Sequence, residues 1–268
     1  MFWKAVLLGL IEGVTEFLPI SSTGHLIIAD KFIRLSNHLE FTNAFKIIIQ
    51  LGAVLAVVKL YWERLWPFAR GKLQKNTLLF WLKILLAVLP AAVLGFLFDD
   101  LLEAKFFNPR SVAVALVFYG IVLLAVENLL RRKFPRPADT PLKWTTALGI
   151  GFFQCLALIP GTSRSAVTII GGLLLGLSRP AAAEFSFFLA VPTMLGAALL
   201  KLAKTALVFS RAEWWTLIVG FFIAYWTGLI VIQIFMRYLQ RHNFKFFGWY
   251  RIVIGLLILL SALITYLK

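Results

Sequence analysis

The chain is predicted to be an all-α integral membrane protein, and three observations carry that prediction. Of its 268 residues, 61% are hydrophobic and 15% charged, where a soluble domain carries about 25% charged residues. The mean hydropathy is +0.89. Apolar runs punctuated by glycine, proline and charge divide the sequence into about ten helical segments, and two short polar cassettes interrupt the apolar sequence.

In order, the segments are 2–18, 25–35, 42–62, 77–98, 111–130, 144–159, 165–177, 182–204, 213–238 and 248–267. Crossing a hydrocarbon core of about 30 Å takes about 20 apolar residues. The third, fourth, fifth, eighth, ninth and tenth meet that length and are expected as full spans. The other four form two short pairs, each broken at a proline, Pro19 or Pro160. They are expected as re-entrant half-helices, because irregular backbone at membrane depth survives only where protein or a wet cavity surrounds it.

The whole of 1–268 is read as one polytopic membrane domain with repeat halves at about 1–130 and 144–268. Leu18-Pro19-Ile20-Ser21-Ser22 matches Ile159-Pro160-Gly161-Thr162-Ser163, as an inverted-topology repeat with its site at the midplane requires. Basic loops at 63–76, 131–143 and 237–245 read as cytoplasmic and the acidic loop holding Asp99, Asp100 and Glu103 as external. Both termini then lie outside, and the basic hairpin at 201–211 fits this orientation least well. Lys46, Lys59, Lys83 and Arg251 are expected to snorkel at segment ends. Cys155, the single cysteine, excludes an internal disulfide. No cleavable signal is expected, so the first hydrophobic segment remains in the protein. The net charge of +15 is spread through short loops, which suits anionic lipid headgroups and argues against a nucleic-acid partner.

Ionisable groups inside a membrane segment are costly and mark function. Glu12 and Glu16 stand four residues apart on one helical face, where a divalent cation, Mg²⁺ or Ca²⁺, would offset their repulsion with substrate phosphate oxygens completing its shell. Ser21, Ser22 and Thr23 open one half-helix, and Thr162, Ser163 and Arg164 open the other. Helix N-termini present free N–H groups to anions, and arginine pairs bidentately with phosphate. His25, three residues after Ser22, is placed to exchange a proton. Nucleophile, acid/base, metal and anion clamp together describe phosphoryl transfer. Gln50 and Gln154 either orient these groups or simply link helices. Glu184, beside Arg179 in sequence, reads as a helix-start acid.

The cassettes Glu12-Gly13-Val14-Thr15-Glu16-Phe17-Leu18-Pro19-Ile20-Ser21-Ser22-Thr23-Gly24-His25 and Pro160-Gly161-Thr162-Ser163-Arg164-Ser165 resemble those of the undecaprenyl pyrophosphate phosphatases of the bacitracin-resistance (BacA/UppP) type. So do Ile49-Gln50-Leu51-Gly52, Ala183-Glu184-Phe185-Ser186-Phe187 and Pro192-Thr193-Met194. The resemblance implies hydrolysis of undecaprenyl pyrophosphate to the monophosphate carrier for cell-wall synthesis. It also implies a divalent-metal requirement and an active site open to the outer face of the bacterial inner membrane. Its acidic motif falls on Glu12 and Glu16, its serine and histidine on Ser22 and His25, and its arginine on Arg164.

On this reading Ser22 attacks the terminal phosphorus, His25 takes its proton, and Ser21, Thr23, Thr162 and Ser163 bind phosphate oxygens; a version with His25 as nucleophile stays open. A homodimer is compatible with the sequence. An inverted-repeat secondary transporter or flippase would share the broken helices and buried acids, yet would not need the hydroxyl cluster beside His25. An acid-phosphatase-like lipid phosphatase needs a second histidine after the arginine, and the only later one, His242, lies in a basic loop.

Overall fold

The structure is a computed structural model that describes residues 1–69, 72–106, 108–130, 142–203 and 208–267. Its helices are α1 (Phe2–Thr15), α2 (Ser22–Phe32), α3 (Leu39–Leu60), α4 (Trp62–Leu65), α5 (Lys75–Phe106), α6 (Pro109–Leu130), α7 (Trp144–Cys155), α8 (Arg164–Leu174), α9 (Arg179–Ala203), α10 (Arg211–Leu239) and α11 (Lys245–Leu267). A 3₁₀ turn at Leu156–Leu158 extends α7, and two-residue strands Phe68–Ala69 and Lys72–Leu73 pair antiparallel before α5.

Six helices, α3, α5, α6, α9, α10 and α11, are long and apolar enough to cross a membrane, and they are the six segments expected to do so. The protein is a multi-pass membrane protein. Helices α1, α2, α7 and α8 run 14, 11, 12 and 11 residues, too short to cross alone at about 1.5 Å per residue. The acidic stretch Asp99–Glu103, expected as a loop, continues α5 as far as Phe106. Pro90 is accommodated inside the helix, and from Asp99 to Phe106 no proline or glycine stands to end it before Pro109. Residues 131–141 of the basic loop at 131–143, and residues 70, 71, 107, 204–207 and 268, lie outside the described residues.

The chain forms two compact units, each drawing on both sequence halves. The first comprises Met1–Phe17, His25–Leu85 and Phe187–Ile234. Its core gathers Ala5 and Leu8 of α1, Leu26 and Ala29 of α2, Phe41, Phe45 and Ile49 of α3, and Leu217 and Ala224 of α10. Small residues let these helices approach closely, as they must where lipid supplies no hydrophobic drive between helices. Gly9 and Gly13 put α1 against Gly220, Ile223 and Thr227, while Gly52 sits on the Phe221 carbonyl, where a Cβ would fall 2.4 Å from the oxygen.

Polar links complete this unit. Ser210 and Glu213 form a reciprocal capping box at the start of α10: the Ser210 N–H and hydroxyl donate to Glu213 Oε2, and the Glu213 N–H donates to Ser210 Oγ. Glu213 also meets His38 Nδ1 at 3.0 Å. Lys46, expected to snorkel, pairs with Asp30 of α2.

The second unit comprises Leu18–Gly24, Leu86–Ser186 and Phe235–Lys268. Gly120, Gly248 and Gly255 bring α6 and α11 into backbone contact. Arg179, at the start of α9, pairs bidentately with the buried Glu127 of α6 at 2.8 and 2.6 Å, and Glu127 also accepts the Phe244 N–H. One buried carboxylate thus joins α6, α9 and the entry to α11.

Gly52→Ala is expected to lower the stability of the detergent-purified protein by about 1–3 kcal/mol in thermal unfolding, because α3 must move off the Phe221 carbonyl. Gly196→Ala on α9, where a Cβ meets nothing within 4 Å among the described residues, should leave it unchanged or raise it by up to about 1 kcal/mol.

Candidate functional site

Two polar turns lie in the second unit, and they are built alike. The first runs from Leu18 to Ser21 and starts α2; the second runs from Ile159 to Ser163 and starts α8. Ser21 and Ser163 have φ of +73° and +72°, the only non-glycine residues in the left-handed region among those described. Each serine then caps its half-helix by accepting the N–H three residues on, Ser21 Oγ from Gly24 and Ser163 Oγ from Ala166. A left-handed serine costs about 1–3 kcal/mol and persists only where its surroundings enforce it; such residues cluster at functional sites.

The proline-to-proline sequence match pairs Ser22 with Ser163, and the geometry moves that register by one. Ser21 is the counterpart of Ser163, and Ser22 of Arg164, each pair holding the same conformation or the same first helical position. The second turn is one residue longer between its proline and its serine. That residue is Gly161, at φ +89°, with Val112 main-chain atoms 2.7 Å from where its Cβ would sit. Only glycine fits there, on conformation and on space.

Four side chains tie the turns and the start of α8 to their surroundings. Ser165 Oγ donates to Leu18 O at 2.9 Å and meets Ser163 Oγ at 3.0 Å. The Arg164 guanidinium reaches α9, where Nη1 donates to Ser186 O at 2.8 Å, and Thr168 Oγ1 donates to Ser186 Oγ at 2.7 Å. Arg251 of α11 is fully buried: its Nη1 donates to Pro19 O at 3.1 Å, and its Nη2 to Gly161 O at 3.1 Å and Thr162 O at 2.9 Å. The expectation that Arg251 snorkels is therefore overturned. Gly248, Arg251 and Gly255 share one face of α11 at i, i+3 and i+7, and the two glycines seat that face on α6, directing the guanidinium inward. That spacing was the signal available in the sequence. Ser165 and Ser186 carried none beyond their motifs.

The remaining expected residues are placed as follows. Ser22, Thr23 and His25 occupy the first turn of α2, with Ser22 buried and His25 half-buried. Thr162 is fully buried in the second turn, and Gln154, also buried, is the penultimate residue of α7. Glu12 and Glu16 belong to the first unit, as does Gln50, half-buried on α3. Gly9, Glu12 and Gly13 share one face of α1, and Glu16, its C-cap, continues that face. The glycines press that face against α10, which buries Glu12 completely and Glu16 to 7% exposure. Among the described residues no group of three or more histidine, cysteine or acidic side chains surrounds a metal position. Two carboxylates nevertheless suit a hard cation such as Mg²⁺, which takes few protein ligands and fills its shell with water and phosphate oxygens.

Among the described residues, six membrane-length helices, four half-length helices and two capped, left-handed serine turns define a polytopic membrane protein. The chain belongs to the bacitracin resistance protein BacA family, whose model matches residues 5–257. It is 47% identical over 263 residues to undecaprenyl-diphosphatase 1 of Oenococcus oeni, covering 96% of this chain and 95% of the relative. It is 49% identical over 261 residues to undecaprenyl-diphosphatase 1 of Clostridioides difficile, at 96% and 94% coverage. It is 47% identical over 270 residues to the undecaprenyl-diphosphatase of Enterococcus faecalis, at 97% of each.

Gly161→Ala is expected to combine left-handed strain with overpacking against Val112, costing about 2–4 kcal/mol. Its thermal midpoint should fall well below that of Gly196→Ala in the same detergent.

Proposed function

We propose that this chain is a polyprenyl diphosphate phosphatase that hydrolyses undecaprenyl pyrophosphate to undecaprenyl phosphate and inorganic phosphate, recycling the lipid carrier for cell-wall synthesis and conferring bacitracin resistance. Its family and its undecaprenyl-diphosphatase relatives support the reaction. The carrying structural observation is the pair of left-handed serine turns, each opening a half-helix, because a helix N-terminus offers N–H groups and positive dipole to a phosphate.

Roles follow from side-chain chemistry. Ser22 Oγ attacks the terminal phosphorus while His25, one turn further along α2, takes the hydroxyl proton. The anhydride P–O bond breaks, undecaprenyl phosphate leaves, and water then cleaves the phosphoserine to release inorganic phosphate. Arg164 neutralises charge developing on the phosphoryl oxygens, with Ser21, Thr23, Thr162 and Ser163 as hydrogen-bonding partners and Gln50 and Gln154 orienting these groups. Glu12 and Glu16 are the residues that would hold Mg²⁺ or Ca²⁺. A bound cation would supply Lewis-acid stabilisation of the phosphate. The site is assigned to the outer face of the bacterial inner membrane.

A phosphate-release assay on undecaprenyl pyrophosphate tests this. Wild type should turn over and lose activity to chelator, with recovery on adding Mg²⁺ or Ca²⁺. Ser22→Ala and Glu16→Gln should each lose at least about 100-fold in kcat. Chelator-insensitive turnover together with full activity in Glu16→Gln removes the metal role. Label trapped at His25 instead of Ser22 reverses the nucleophile assignment.

A further inference from the structure

The fully buried guanidinium of Arg251 lies where both polar turns converge, and nothing in the reaction as described above uses it. Its hydrogen-bond partners are all main-chain carbonyls: Pro19, Gly161, Thr162 and, at the longer distance of 3.5 Å, Ala115. Pro19 and Gly161 occupy the same place in their turns, each two residues before a left-handed serine. One planar cation therefore grips equivalent carbonyls of both turns at once. Its Nε has no hydrogen-bond partner among the described residues, so the group is not fully satisfied even in this setting. Burying an arginine in that condition is costly, and a helix contact alone would be served better by an apolar residue.

We infer that Arg251 is a positioning residue for phosphoryl transfer: by clamping Pro19 O, Gly161 O and Thr162 O it holds both serine turns in their left-handed form and aims the first residues of the two half-helices, Ser22 and Arg164. This rests on the phosphatase reading of the site. The peptide plane gives the physical link. A carbonyl fixed toward Arg251 turns the N–H of the same peptide group to the opposite side, so gripping Thr162 O directs the Ser163 amide away from the guanidinium. A single residue separates each gripped carbonyl at Pro19 and Gly161 from its serine, so rotation there carries straight into the start of the helix. Lysine cannot substitute, because a compact ammonium lacks the flat fork that spans carbonyls of separate turns. Ser165, through its bond to Leu18 O, assists in the same alignment from the α8 side.

The test compares wild type, Arg251→Met, Arg251→Lys and Ser165→Ala, each the full chain purified in detergent and checked for a single monodisperse species with a cooperative thermal transition. Steady-state phosphate release from undecaprenyl pyrophosphate is then measured per folded protein. Misplacing reacting groups by about 1 Å costs about 100-fold, so Arg251→Met should lose about 100-fold in kcat with KM within about threefold of wild type. Arg251→Lys should recover no more than about a tenth of the wild-type kcat. Should Arg251→Met fail to fold, Arg251→Lys and Ser165→Ala carry the test, the latter with a loss of about tenfold in kcat and unchanged KM.

A merely structural staple would lower the thermal midpoint and the folded yield while leaving kcat per folded molecule and the KM unchanged. Wild-type turnover with folded Arg251 variants, or folded Ser165→Ala, holding kcat within about threefold overturns the positioning role alone. No phosphate release by wild type overturns the phosphatase reading and this inference with it.

Discussion

A buried arginine held by main-chain carbonyls is the constraint on which the second unit depends. Left-handed serines do not maintain themselves, since the side chain disfavours that backbone conformation. Here the conformation is enforced from outside the turns, by the Arg251 fork on Pro19, Gly161 and Thr162 and by Ser165 on Leu18. The arginine in turn depends on Gly120, Gly248 and Gly255, whose missing side chains bring α6 and α11 together closely enough to enclose it. Backbone proximity, buried charge and strained turn form one chain of cause.

The same logic operates at α1 with different residues. Gly9 and Gly13 allow close approach to α10, and that approach removes Glu12 from solvent. Small residues beside ionisable ones thus recur in both units, where tight helix contact creates the low-dielectric setting in which a carboxylate or guanidinium acts strongly. Differences between the two turns matter as much as their likeness. Ser22 and Arg164 hold equivalent first positions on α2 and α8, so one scaffold presents a hydroxyl at one helix start and a guanidinium at the other.

Much of this was legible in the residues. Apolar run length marked the six spanning helices, because hydrocarbon thickness sets a length that sequence displays directly. Polar residues inside apolar segments are conspicuous for the same reason, so Glu12, Glu16, Ser22, His25 and Arg164 stand out without any structure. Turn register was not legible. A match of Pro19 to Pro160 pairs Ser22 with Ser163, yet the extra residue Gly161 shifts the serines by one, and only backbone dihedrals reveal it. Partners were equally hidden: Arg179, five residues before Glu184, pairs with Glu127 on another helix, and Lys46 pairs with Asp30.

By itself the sequence determined the class of protein, the number of spanning helices, the two polar interruptions and the residue types available for phosphate chemistry. These are properties of composition and local spacing, and the membrane as solvent makes them strict. Tertiary structure alone decided that Arg251 faces inward instead of toward the interface, and that Ser21, not Ser22, is the strained partner of Ser163. Both outcomes rest on contacts between residues far apart in the chain: Arg251 with Pro19 and Gly161, and Ser165 with Leu18. A side chain's local pattern sets which face of its helix it occupies, while the neighbour packed on that face decides whether it meets lipid, water or a ring of carbonyls.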